Sequence, residues 1–131
     1  DEGTPPQALA GTYWARDHVS GLVAADHRAA TILFGFAGEN GTWDTTAPPF
    51  FATTFADARP GLVDIQTPSG TWNVSYVWID RGLVAGVQLK PWDPALPMSS
   101  AALAKFSDAP FVKVYDDGFA QIYWVNWGLA P

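Results

Sequence analysis

A single antiparallel, up-and-down β-barrel of roughly eight or nine short strands with one short helix is the fold that this sequence predicts. Three observations lead there. Eleven Pro and twelve Gly are spread over the 131 residues and cut the chain into short pieces. The pieces between them are rich in Val, Ile, Thr, Phe, Tyr and Trp, residues that suit a pleated, half-buried surface. Hydrophobic residues make up 48% and aromatic ones 15%, against only 15% charged. So many apolar strands would leave sticky open edges unless the sheet closed on itself. The length favours one domain over the whole chain, 1–131.

Strands are expected near 10–16, 21–26, 29–37, 50–57, 61–67, 71–80, 83–90, 110–116 and 119–126. The clearest alternation puts Trp72, Val74, Tyr76 and Trp78 on one face and Thr71, Asn73, Ser75 and Val77 on the other. Asp80-Arg81-Gly82 looks like a short hairpin with Gly82 at positive φ. Asp116-Asp117-Gly118 looks the same for the last two strands. One helix is expected near 99–107, where Ser99 or Ser100 caps the run Ala101-Ala102-Leu103-Ala104-Lys105-Phe106 ahead of Pro110. No internal repeat or low-complexity linker divides the chain.

Composition also narrows function. The net charge is −6 and the seven cations are scattered, so a nucleic-acid-binding footprint is not expected. No apolar run approaches the ~18 residues of a membrane span. The hydrophobic load is too high for a disordered chain. There is no cysteine, hence no disulfide framework and no thiolate zinc site. A start at Asp1 fits a mature secreted protein, or a trimmed chain, and the sequons Asn40-Gly41-Thr42 and Asn73-Val74-Ser75 lean the same way. Secreted is the preferred location, cytoplasmic the alternative.

Leu9-Ala10-Gly11-Thr12-Tyr13-Trp14 resembles the Gly-X-Trp opening of lipocalin-like (calycin) barrels. That resemblance implies a barrel holding a small hydrophobic ligand, with the Trp closing one end and the helix late in the chain. The run from Tyr115 to Trp124, Tyr-Asp-Asp-Gly-Phe-Ala-Gln-Ile-Tyr-Trp, resembles the hairpin of phenolic acid decarboxylases. In that family two tyrosines on the leading strand hold and polarise the substrate carboxylate. Tyr115 matches one of them, whereas Lys113 stands at the other position and the hairpin lies late rather than early. The decarboxylase activity therefore does not carry over.

The residues offer few constellations for chemistry. His18 and His27 each follow an aspartate, Asp17 and Asp26, but their spacing fits no zinc motif, and solvated loop histidines are the simpler reading. No Gly-X-Ser-X-Gly elbow surrounds any serine. Glu39 sits in the turn-like Gly38-Glu39-Asn40-Gly41, which argues against a pair of glycosidase carboxylates. No metal and no cofactor is expected. The last hairpin says more. Phe111, Lys113 and Tyr115 are expected on one face of their strand, with Phe119, Gln121, Tyr123 and Val125 facing with them. Val112, Val114, Ala120, Ile122 and Trp124 make the other face. Both faces are substantially apolar, yet one also carries Lys, Gln and two Tyr, which asks for a ligand cavity or a subunit contact.

The leading expectation is therefore a barrel cavity that binds a small hydrophobic or aromatic molecule, with isomerisation, cyclisation or decarboxylation as the chemistry it could add. Tyr115, Tyr123 and Lys113 are the acid–base candidates. Tyr13, Trp14, Trp72, Tyr76, Trp78 and Gln121 are the candidate lining, and Arg16 is a candidate anion clamp. The alternative is a carbohydrate-binding module that uses exposed Trp with Asp or Asn, with Trp43-Asp44 and Trp92-Asp93 as suitable loop pairs. It predicts rings on an open platform rather than in a cavity. A homo-oligomer contact is the third reading of the two-faced hairpin.

Overall fold

The structure, a computed structural model, describes residues 6–18, 21–25, 40–42, 50–67, 70–87 and 96–130. Its elements run α1 (Pro6–His18), β1 (Leu22–Ala24), β2 (Asn40–Thr42), α2 (Phe55–Ala58), β3 (Ile65–Thr67), β4 (Gly70–Trp72), β5 (Val74–Asp80), α3 (Arg81–Ala85), α4 (Ser100–Ala104), β6 (Phe111–Asp116) and β7 (Ala120–Val125). Short 3-10 turns come after α2, α4 and β7. Helices and strands are mixed, and the strands form one five-stranded sheet, in the order β2-β1-β5-β7-β6, and one two-stranded ribbon, β3-β4. The expected all-β barrel is thus corrected: no closed barrel is formed among the described residues. β1 lies parallel to both β2 and β5, whereas β5/β7 and β6/β7 are antiparallel. No helix among them is long and apolar enough to cross a membrane.

Three stretches expected to be strands are helical in whole or in part over their described residues. Residues 10–16 lie in α1, which opens on Pro6, a residue whose fixed φ suits the first helical position. Arg16 and His18 lie in its last turn, where the helix dipole favours cations. Trp14 and His18, one turn apart, stack at 4.4 Å and 12°. The His18 Nδ1–H donates to the Trp14 carbonyl at 2.9 Å. The two aromatics at 13–14 suggested a strand, but the i,i+4 stack uses the same ring within a helix. Within 50–57, Phe50 and Phe51 are helical and α2 begins at Phe55, capped by the Thr54 hydroxyl accepting from the Asp57 N–H at 3.2 Å. Within 83–90, residues 83–85 belong to α3.

The expected hairpin at Asp80-Arg81-Gly82 is in fact a strand-to-helix junction. Asp80 is the N-cap of α3, with its Oδ1 accepting from the Leu83 N–H at 2.7 Å. An aspartate near a glycine serves a helix N-cap as well as a turn, and packing of the next residues makes the choice. The other expectations fare better. Ser99 caps α4 through its hydroxyl, which accepts from the Ala102 N–H at 3.0 Å. Asp116-Asp117-Gly118 joins β6 to β7, and Gly118 has φ +87 as the turn requires. The strand expected at 29–37 lies outside the described residues.

Helical segments pack on both faces of the five-stranded sheet, on one of them only in part. Opposed residues in a ladder share a face, so Trp78, Ile122 and Tyr115 lie on one side, and Val77, Tyr123 and Lys113 on the other. α1 packs on the first side. A Cβ added at Gly11 would lie 2.9 Å from the Trp78 ring and 3.4 Å from Tyr115, so only glycine allows this approach. Ala15, one turn on, is also buried. The second side is covered from α2 and the turn after α4: Phe106 meets Tyr123 at 5.1 Å and Phe111 at 4.7 Å, and Phe55 meets Phe111 at 5.8 Å. Helices on both faces explain why β5 is almost fully buried.

Candidate functional site

The last hairpin does not assemble the expected set. A register shift between Lys113 and Tyr115 inserts an extra residue, a β-bulge. Lys113 then faces Tyr123 and Asp116 faces Gln121, while Tyr115 pairs with Ile122 on the opposite face. Lys113 and Tyr115 were expected to share a face, and the bulge separates them. Tyr115 turns towards α1, where its ring lies 5.0 Å from Trp14.

Each polar group of the turn is engaged locally. The Asp116 carboxylate accepts from Lys113 Nζ at 3.0 Å, the Gly118 N–H at 2.9 Å and Gln121 Nε2 at 3.1 Å. Asp117 accepts from the Phe119 and Ala120 N–H groups at 2.9 and 2.8 Å, and from the Tyr115 hydroxyl at 2.8 Å. Arg81 ties the turn to α3 by donating its Nε–H to the Gly118 carbonyl at 2.9 Å. These bonds hold protons in place. Burial, with the bond to Asp117, pushes the Tyr115 phenol up to about 12. The bond to Asp116 raises Lys113 above its ordinary value, and burial under Phe106 raises Tyr123. Near neutral pH, a tyrosine so placed is a poor proton donor to a substrate and a held ammonium a poor base.

Asp116 gives a direct test. The Gln121 amide, the Gly118 N–H and the Lys113 ammonium hold its carboxyl down at about 2, below its ordinary 3.8. Between those values the unfolded chain binds more protons than the folded one, so folding stability is lost as pH falls through that window. A urea midpoint measured from pH 5 to 2 is expected to fall less in Asp116→Asn than in the parent. Equal acid slopes in the two proteins would remove the role assigned to this carboxylate.

The other expected residues are dispersed. On α1, Arg16 lies over the Tyr13 ring at 5.1 Å and donates from Nε to Asp17 at 3.3 Å. Both members of that ion pair are exposed, as is Tyr13. Trp78 is buried, with its indole N–H donating to Asp80 Oδ2 at 2.7 Å. Trp72 does not continue the Tyr76/Trp78 stripe, because the strand breaks at Asn73. It lies on the β3-β4 ribbon opposite Ile65, 53% exposed. His27, Asp26, Glu39, Trp43-Asp44 and Trp92-Asp93 lie outside the described residues. Among those described, no group of three or more His, Asp or Glu side chains could hold a metal.

Two features were not singled out by sequence reasoning. Lys105 is buried at 5% exposure, donating from Nζ to the Ala102 carbonyl at 2.8 Å and lying 4.2 Å from the Phe106 ring centre. Burial lowers it to about 8. In sequence it is one more lysine near the end of the expected helix. The second feature is Trp124. It lies between Tyr76 on β5 and Val112 on β6, directly opposite both, on the face where α1 meets Trp78 and Tyr115. Trp124 is 40% and Val112 37% exposed. The row Tyr76–Trp124–Val112 is therefore an apolar strip across three strands, part-exposed at Trp124 and Val112. Alternation with Tyr123 was the sequence signal for it, but which face would be left uncovered was not readable. No family model matches this chain, and no match to it was found among the curated proteins or the solved structures.

Proposed function

We propose that the chain is a binding module whose open sheet face takes a small hydrophobic or aromatic molecule against the row Tyr76–Trp124–Val112. The observation that carries this reading is the half-open indole of Trp124 flanked across the strands by an aromatic and an aliphatic side chain. A planar apolar molecule laid on this strip would remove ring surface from water and stack on it. The role needs no proton transfer, which agrees with the locally held protons of Lys113 and Tyr115.

The second reading, a carbohydrate platform, draws on the same openness. Trp124, Trp72 and Tyr13 are all exposed, and exposed rings suit sugar faces. One titration separates the two. An anilinonaphthalene sulfonate probe, followed by its own emission and by tryptophan quenching, is expected to bind the folded protein. Trp124→Ala is expected to weaken it about tenfold, or ~1.4 kcal/mol, while Trp72→Ala leaves it unchanged. A response to a soluble glucan oligosaccharide but not to the dye would favour the carbohydrate reading. Dye binding that survives Trp124→Ala in full would end the proposal for this strip.

A further inference from the structure

The sequon Asn73-Val74-Ser75 is a motif that ligand binding leaves unused, and its surroundings are those of an accessible acceptor. Asn73 is the one residue between β4 and β5, and it is exposed. The chain turns inward directly after it. The Val74 N–H donates to the Leu62 carbonyl at 2.7 Å and the Val74 side chain is fully buried. Asn73 itself stays outside, where two pieces of sheet separate.

Its carboxamide has a defined orientation. Oδ1 accepts from the Asp64 N–H at 3.2 Å, which fixes which end of the amide faces the protein, since only the oxygen can accept. Asp64 has φ +56, a sparsely populated conformation for a residue with a Cβ, and the bond from its N–H helps to hold it there. The amide nitrogen is on the far side of the same carbon and makes no hydrogen bond within the described residues.

We propose that Asn73 is an N-linked glycan acceptor. The co-reactant is a lipid-linked phospho- or diphospho-oligosaccharide, brought by a transferase. A bond forms between Asn73 Nδ2 and the sugar C1, and the C1–O bond to the phosphate breaks. The phosphate leaves with that electron pair, and one Nδ2 proton passes to a base of the transferase. Ser75 supplies the hydroxyl that the third position of the sequon requires. The product keeps Oδ1 as an acceptor, so the bond to Asp64 survives modification. The other sequon, Asn40-Gly41-Thr42, lies entirely within strand β2, paired to β1, whereas here Val74 and Ser75 belong to β5 and the acceptor Asn73 itself stands outside a strand. The assignment also places residues 73–75 on the non-cytosolic side of a membrane during synthesis, where N-linked transfer takes place.

Two measurements test it. In the protein isolated from its own source, the peptide containing residues 65–80 is expected to carry a hexose-containing mass increment at Asn73. An unmodified Asn73 there would overturn the proposal. In a secretory host, Asn73→Gln and Ser75→Ala are each expected to lose that increment, while Asn40→Gln keeps it. Ser75→Ala leaves Asn73 and its bond to Asp64 in place, so loss of the increment in this variant is read independently of any folding defect in Asn73→Gln. An increment that persists in both variants would equally overturn it.

Discussion

Trp78→Ala is expected to lower folding stability by about 3–5 kcal/mol, a large share of the roughly 5–15 kcal/mol that holds a domain together. Trp78 is 2% exposed in the middle of β5. Ile122 stands opposite it, and Gly11 of α1 rests on the edge of its ring. Truncation opens a cavity that the neighbours are badly placed to fill, because the residue above it is a glycine. The truncation also takes the surface on which α1 docks. Trp78→Phe keeps one aromatic ring but loses the indole N–H and the far part of the indole that meets Gly11, so a smaller loss than for alanine is expected, about 1–3 kcal/mol. Urea unfolding followed by circular dichroism is the measurement. A Trp78→Ala midpoint equal to that of the parent would mean that α1 does not dock on this ring in solution.

Asp80→Ala is the second large effect, expected at about 2–4 kcal/mol from an orphaned buried donor together with a lost helix cap. Its carboxylate is buried, and its two oxygens do different work. One accepts the Trp78 indole N–H and the other the Leu83 N–H, both at 2.7 Å. Alanine leaves the indole donor unpaired in the interior and α3 without its cap. Serine at the same position restores the cap alone, so Asp80→Ser should recover part of the loss. The pair Trp78→Phe with Asp80→Ala is expected to cost less than the sum of the single changes, since both remove the same hydrogen bond. Strict additivity in that cycle would show that the indole and the carboxylate do not interact.

How much of each element was legible in the sequence depends on the range of the interactions that decide it. The β6-β7 hairpin is set by residues in contact along the chain: Asp116 and Asp117 bind the N–H groups of the turn itself, and Gly118 takes the positive φ. α4 is likewise local, with Ser99 capping Ala102. α1 misled because Tyr13 and Trp14 carry strand propensity, while the features that make it a helix come from packing. The fit of Gly11 against Trp78 is the tertiary one, and the stack of Trp14 on His18, four residues apart, forms only once the helix exists. At Asp80 the same side chain suits a hairpin and a helix N-cap, and the buried Trp78 indole that shares it is a tertiary partner.

The candidate site divides in the same way. Period-2 alternation correctly put Trp124 and Ile122 on one face, and Tyr123 and Gln121 on the other. It assigned Lys113 and Tyr115 to a common face because a bulge adds one residue without leaving a compositional mark. One inserted residue sends the phenol to Trp14 and leaves the ammonium with Asp116. The sequence by itself therefore determined where the β6-β7 hairpin and the capped helix α4 lie, and that aromatic residues exceed what one sheet face can use. The tertiary structure alone decided how that excess is spent. Helices laid on both faces bury Trp78, Phe106 and Tyr123, and the Trp124 strip is left open. Which helix covers which ring depends on contacts between residues far apart in the chain, and no local pattern encodes them.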